Sequence, residues 1–112
     1  MLKSPGLPRR HYSPRAKLVV WAWQDAAELE MRSAECGVRG AKVHVVAHTR
    51  SPAGKGVGRV SVIPHDAVAF ARAIYAELHE CDEAGAELIV VEALPDAPEW
   101  KAIADRLRRA AS

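Results

Sequence analysis

The residues with the clearest capacity for chemistry lie near the start of the chain. Between Pro8 and Pro14 the sequence places two arginines, a histidine and a tyrosine. Arginine donates bidentate hydrogen bonds to phosphate, and aromatic rings stack on flat ligands. The prolines fix φ and push the residues before them towards extended geometry, so the backbone is stiff. Such a segment is typical of a lid that covers a ligand, since a stiff backbone loses little entropy on binding.

The charge distribution marks the same segment. Residues 1–17 carry five of the 16 lysines and arginines and no acidic residue. The remainder carries 11 basic and 14 acidic residues, a net charge of −3. A basic arm on a mildly acidic body indicates contact with an anion, either a phosphate-bearing ligand or RNA. A solvated tail is the alternative.

The histidines are the next candidates for chemistry. His44 and His48 are four residues apart on a predicted strand, so they share a face. His65 precedes a predicted helix, and His79 and Cys81 lie near its end. A metal site needs three or four such ligands to converge, and the sequence has no C-x-x-C or H-E-x-x-H frame. We therefore predict no metal site and expect partly exposed sheet and surface histidines.

The cysteines and the glycine-rich stretch indicate no catalytic centre. Cys36 and Cys81 lie on or beside apolar helix stripes, where cysteine behaves as a small hydrophobic residue. Two cysteines form no disulfide framework or zinc ribbon. The Gly54–Gly58 loop lacks the Walker A spacing and leads into a strand, so we interpret it as a flexible connection. We predict no catalytic residue in this chain.

Alternating strand and helix patterns must position these residues. Aspartates and helical spacing predict three helices, opened at Asp25, Asp66 and Asp96, with Gly37 and Gly85 ending the first two. Short apolar, valine-rich runs predict four strands at 17–23, 42–48, 59–63 and 88–91. The order β-α-β-β-α-β-α predicts an α/β sandwich: a mainly parallel sheet of about four strands with helices on both faces.

Length and composition fit one compact domain. The 112 residues are 49% hydrophobic, which is enough for a core. We predict an extended arm over 1–16 and a folded domain over 17–112. No apolar run reaches the roughly 20 residues of a membrane helix, and the start is too polar for a signal peptide. We expect a cytoplasmic protein without membrane contact.

Three stretches resemble a known family. Ser4, Pro5, Gly6, His11, Tyr12, Ser13 and Pro14 match the pattern S-P-G-x-x-x-x-H-Y-[AS]-P, the interdomain linker of the L-threonylcarbamoyladenylate synthase family. Residues 78–85 are similar to its L-x-x-x-D-E-x-G, and residues 103–111 are similar to its A-I-x-[DN]-R-L-x-[RK]-A-A ending. Together these motifs span nearly the whole chain in the expected order.

The resemblance implies a C-terminal accessory domain with a Rossmann-like fold. The family makes threonylcarbamoyl-AMP from threonine, bicarbonate and ATP (with Mg) for the N6-threonylcarbamoyladenosine modification of tRNA. Its chemistry belongs to a YrdC-like catalytic domain, and the linker lies over the active-site opening of that domain. By this resemblance Arg10, His11 and Tyr12 contact the nucleotide or its phosphates. This chain itself would bind no cofactor and would meet tRNA only indirectly. The catalytic domain would belong to the same or a separate chain.

Two other functions compete with this hypothesis. The chain is alternatively an autonomous nucleotide- or RNA-binding module that uses its basic arm. An independent small enzyme is the third possibility, and it lacks any nucleophile–base pair or carboxylate pair at a credible spacing. The sequence therefore favours an accessory domain whose arm acts on the active site of a catalytic partner.

Overall fold

A computed structural model describes residues 14–38, 40–49 and 57–111 of the chain. The elements follow the predicted order β-α-β-β-α-β-α. Their bounds are β1 Lys17–Trp21, α1 Ala26–Glu35, β2 Gly40–Ala47, β3 Val57–Val62, α2 Ala67–Glu83, β4 Leu88–Glu92 and α3 Pro98–Ala111. The predicted α/β class is confirmed. Each predicted strand is found, with its ends displaced by up to two residues.

The four strands form one sheet in the order β1-β4-β2-β3, and every pairing is parallel. The apolar run of β4 is fully buried, because β4 lies between β1 and β2 and both of its faces are covered. Its register places Val90 beside Val19 on one side and Val45 on the other. This order leaves β1 and β3 as the two edge strands.

Helices cover both faces of the sheet, which confirms the predicted three-layer, Rossmann-like sandwich. Helix α1 packs through Leu29 on one face, against valines of β2 and β4. Helices α2 and α3 pack on the other face through Phe70, Ile74, Trp100 and Leu107. Burying each of these large side chains contributes roughly 1.5–3 kcal/mol, so the fold rests on two cores separated by the sheet.

The helix ends follow the predicted signals. The side chain of Asp25 accepts a hydrogen bond from Glu28 N at 2.8 Å, and that of Asp66 accepts one from Ala69 N at 3.0 Å. Glu28 in turn accepts from Gln24 N, one residue earlier than in a standard capping box. Gly37 and Gly85 take φ of 82° and 90° directly after the C-caps of α1 and α2, where the left-handed conformation favours glycine.

One side-chain prediction is wrong. His44 and His48 are 4% and 6% exposed, whereas partly exposed sheet histidines are the expectation from the sequence. Because α1 covers one face of the sheet and α2 and α3 cover the other, a histidine on β2 is buried whichever face it points to. Trp23 is buried, and Trp21 is half-buried with the Arg32 guanidinium carbon 4.3 Å from its ring centroid.

No helix in the described ranges is long and apolar enough to cross a membrane.

Candidate functional site: the arm base and the carboxyl edge of the sheet

The predicted ligand contacts Arg10, His11 and Tyr12 lie outside the described residues. The described chain begins at Pro14, which is buried, and continues through the buried Ala16 into β1. Pro14 and Ala16 are therefore packed into the body of the domain. The structure defines the point from which the predicted arm extends.

Asp82 fixes this arm base, which we define as residues 14–16. Its carboxylate accepts hydrogen bonds from two consecutive backbone amides, Arg15 N at 2.9 Å and Ala16 N at 3.1 Å. The partners are 66 and 67 residues apart in sequence. A carboxylate that accepts from two N–H groups makes charge-assisted bonds, which are stronger than neutral ones. Asp82 thus ties the arm base to the last turn of α2.

The local sequence places Asp82 where it can do this. Helix α2 ends in a Schellman motif, in which Ala86 N donates to Cys81 O at 3.1 Å and Gly85 N to Asp82 O at 3.0 Å. The chain then turns directly into β4. Because Lys17 N donates to Glu87 O at 3.0 Å, β1 starts beside the start of β4. The end of α2 and the start of β1 therefore meet at the amino edge of the sheet.

A second polar cluster lies at the opposite, carboxyl edge of the sheet. Glu92, the last residue of β4, accepts through Oε1 from His48 N at 2.8 Å and from Thr49 N at 2.9 Å. Its Oε2 accepts from the Thr49 hydroxyl. These bonds join the carboxyl ends of β2 and β4, so Glu92 fixes the point where the chain leaves β2 towards β3.

The His48 ring extends this cluster. Its Nε2 lies 3.0 Å from Ala93 O, and a carbonyl only accepts, so Nε2 carries a hydrogen. Its Nδ1 lies 2.8 Å from Nδ1 of His65, a separation that holds one shared proton. With neutral His48, His65 is the donor. The two ring centroids lie 5.0 Å apart with 13° between the ring planes, and Trp100 stacks on His48 at 5.7 Å.

The carboxyl-edge cluster, His48, His65, Thr49 and Glu92, joins several parts of the fold. The polar side-chain atoms of His48, Thr49 and Glu92 bond to one another, to the His65 ring or to backbone. No serine, cysteine or lysine stands beside the histidines as a nucleophile within these contacts. The arrangement joins β2, β4, the segment before α2 and the start of α3. It stabilises the edge at which parallel sheets commonly carry their functional loops.

The remaining polar contacts of the core also have structural roles. Glu77 on α2 accepts from Arg59 Nη2 at 3.0 Å and from the Ser61 hydroxyl, which ties α2 to β3. The hydrogen bond to Glu77 raises the pKa of the Arg59 guanidinium above its usual value. Burial raises the pKa of the Cys81 thiol to about 11, so this thiol stays protonated at neutral pH. Cys81 is therefore not an activated nucleophile.

Among the described residues, the histidines and the glycine-rich stretch are not grouped into a metal site. Within residues 14–38, 40–49 and 57–111, no three His, Cys, Asp or Glu side chains are grouped to hold a metal ion. His48 and His65 are hydrogen-bonded to each other, while His79 is exposed on α2. Of the Gly54–Gly58 loop, Val57 and Gly58 belong to β3, and 54–56 lie outside the described residues.

Sequence reasoning missed the roles of Asp82 and Glu92. Asp82 is part of the quoted D-E-x-G motif, but nothing in the motif indicates that it binds the backbone of residues 15 and 16. Glu92 ends a buried strand. An acidic residue at the carboxyl end of a parallel strand indicates a polar cluster at that edge of the sheet. Finding its partners required the strand order, which places β4 next to β2.

Comparison with known proteins identifies a family. The family described as "Threonylcarbamoyl-AMP synthase, C-terminal domain" matches residues 1–112, which is the whole chain. Comparison with curated proteins and with solved structures gives no match. The match covers the three motifs that carry the sequence resemblance. The chain belongs to the threonylcarbamoyl-AMP synthase C-terminal domain family.

Proposed function

We propose that this domain supports the synthesis of threonylcarbamoyl-AMP by a YrdC-like catalytic domain in the same or a separate chain. The catalytic domain would use ATP with Mg, threonine and bicarbonate, and the product would serve tRNA modification in the cytoplasm. The domain described here contributes no reacting group. Its arm covers the nucleotide site, excludes water and retains the intermediate.

The anchored arm base is the observation that supports this proposal. Arg10, His11 and Tyr12 precede the buried Pro14 by four, three and two residues. An extended chain spans at most about 3.6 Å per residue, so these side chains emerge within roughly 14 Å of Pro14. A short, proline-framed arm on a fixed base presents its guanidinium and rings within a small volume. That is the geometry needed to cover one site repeatedly.

The test measures pyrophosphate release from ATP by the catalytic domain, with threonine and bicarbonate, with and without this chain. We expect the chain to raise the rate or the retention of the intermediate, and Arg10→Ala to remove most of the effect. Losing a charge-assisted bond to phosphate costs about 1.5–3 kcal/mol, or roughly 10- to 100-fold. Arg15→Ala is the matched control. Arg15 lies in the arm base and bonds Asp82 through its backbone amide, so the substitution removes a guanidinium and keeps this bond.

Two results would contradict the proposal. One is an unchanged rate and unchanged retention of threonylcarbamoyl-AMP when the wild-type chain is added. The other is steeply salt-dependent binding of tRNA by the chain alone that disappears when residues 1–16 are deleted, without any effect on catalysis. This second result supports the autonomous RNA-binding module instead.

A further inference from the structure

The edge strand β1 presents unpaired backbone along its outer side. Lys17 N donates to Glu87 O, and Trp21 O accepts from Ala93 N, so residues 17 and 21 bond inward towards β4. Bonding direction alternates along a parallel strand, which turns the N–H and C=O groups of Leu18 and Val20 outward. In the described part of the chain no strand pairs with this side of β1. This edge can therefore accept an added strand.

An apolar groove lies beside the same edge. A cavity of about 440 Å³ opens between β1, the segment after β4 and helix α3. Its wall is mostly apolar, with Val20 of β1, Leu94, and Leu107 and Ala111 of α3, and it includes one charged residue, Arg108. Val20 is 37% exposed, a large fraction for a valine between a sheet and a helix. Side chains of a strand added to β1 would enter this groove.

We propose that the outer edge of β1 and this groove form the docking surface for the catalytic domain. An extended segment of that domain pairs with the backbone of Leu18 and Val20 and places apolar side chains against α3. This inference rests on the proposed function, because it takes Arg10, His11 and Tyr12 as the residues that cover the nucleotide site of the partner.

The position of the arm base favours the β1 edge as the surface and the catalytic domain as its partner. Residues 14–16 lead directly into β1, and the covering residues emerge within roughly 14 Å of Pro14. Strand β1 is about 17 Å long at 3.3 Å per residue, so its edge lies within the footprint of a domain held there. The other edge strand, β3, lies three strand spacings away, about 14 Å farther. A partner whose active site meets the arm therefore faces β1.

The chain offers a matched pair of variants for the test. Val20→Lys places a charge at the groove, and Val62→Lys places the same charge on the opposite edge strand, where Val62 is 60% exposed. Both valines are accessible, so both variants are expected to fold, which far-UV circular dichroism checks. We expect Val20→Lys to weaken binding of the catalytic domain at least 10-fold by calorimetry. Val62→Lys should change it less than 2-fold.

Amide hydrogen exchange gives a second readout that does not depend on a variant. Addition of the catalytic domain should slow exchange at Leu18 and Val20 at least 10-fold. Unchanged exchange at both amides, or equal affinity of the two valine variants, would overturn the docking surface. Two results in the isolated chain would also overturn it. Protection of these amides that is lost on dilution would show that a second copy of the chain pairs with β1. Protection that is lost on deletion of residues 1–13 would show that the arm pairs with β1.

These results separate the docking surface from the proposed function. If the wild-type chain alters catalysis but Val20→Lys binds as tightly as Val62→Lys, the docking surface is wrong and the proposed function stands. If the wild-type chain neither binds the catalytic domain nor alters its catalysis, both are wrong.

Discussion

Replacing Asp82 with alanine should loosen the arm base and destabilise the domain. The substitution removes the acceptor of two backbone amides, Arg15 N and Ala16 N. The first amide is exposed, so water replaces the carboxylate at little cost. The second is partly buried, and it would be left without its acceptor. The main loss therefore comes from the amide of Ala16, which packs with the core shared by α2 and α3.

The magnitude follows from these two environments. A hydrogen bond to a charged group contributes about 1.5–3 kcal/mol, and leaving a buried donor unsatisfied costs about 1–3 kcal/mol. Counting the partly buried bond fully and the exposed bond weakly, we expect Asp82→Ala to lower the free energy of unfolding by about 2–3 kcal/mol. For a domain of this size that lowers Tm by roughly 10 °C.

Glu83→Ala is the matched control. Glu83 is the neighbouring exposed acid in the same last turn of α2. Removing either acid relieves its unfavourable interaction with the carboxyl end of the helix dipole, worth about 0.3–1 kcal/mol. The difference in unfolding free energy between the two variants therefore reports the hydrogen bonds from Asp82 to the arm base. Urea unfolding followed by circular dichroism measures that difference.

Limited trypsin digestion reports on the arm base itself. Mass spectrometry should show faster cleavage after Arg15 in Asp82→Ala than in Glu83→Ala, because the peptide bond between Arg15 and Ala16 is no longer held. Equal unfolding midpoints together with equal cleavage rates after Arg15 would refute the reasoning.

Three further predictions concern the carboxyl-edge cluster and the thiols. Glu92→Gln should lower the free energy of unfolding by about 1–3 kcal/mol, because the Glu92 side chain is 13% exposed and its charge is shared among three donors; an unchanged urea midpoint would contradict this. In the native protein at pH 8, Ellman's reagent should modify the half-buried Cys36 and leave Cys81 unmodified until the chain unfolds. Since folding raises the pKa of Cys81 from 9.0 to about 11, its thiol favours folding below pH 9 and that contribution is lost as pH rises towards 11. Cys81→Ala should therefore flatten the decline in unfolding free energy measured across this window, and an equally steep decline in the variant would contradict the assignment.

Local signals in the sequence predicted most of the fold. Asp25 and Asp66 were predicted to open helices and Gly37 and Gly85 to end them, because capping and left-handed turns depend on a few neighbouring residues. The strands were recognisable as valine-rich runs. The alternation of strands and helices indicated a mainly parallel sheet, since parallel neighbours require crossover connections.

Long-range pairing could not be predicted in the same way. The strand order β1-β4-β2-β3 brings Glu92 next to His48, although β3 and α2 lie between them in sequence. The contact between Asp82 and the arm base likewise spans 66 residues. The burial of His44 was missed because a strand covered on both faces has no exposed side, so alternation along it carries no information about exposure. The roles of Arg10, His11 and Tyr12 remain predictions from the family resemblance.

The most direct test of the central claim measures retention of threonylcarbamoyl-AMP. The catalytic domain is incubated with ATP, Mg, threonine and radiolabelled bicarbonate, then passed rapidly through a gel-filtration column, with and without this chain. We predict that the wild-type chain increases the label that stays with protein. His11→Ala combined with Tyr12→Ala should return it to the level of the catalytic domain alone. Equal retention with the wild-type chain, the double variant and no chain would contradict the account.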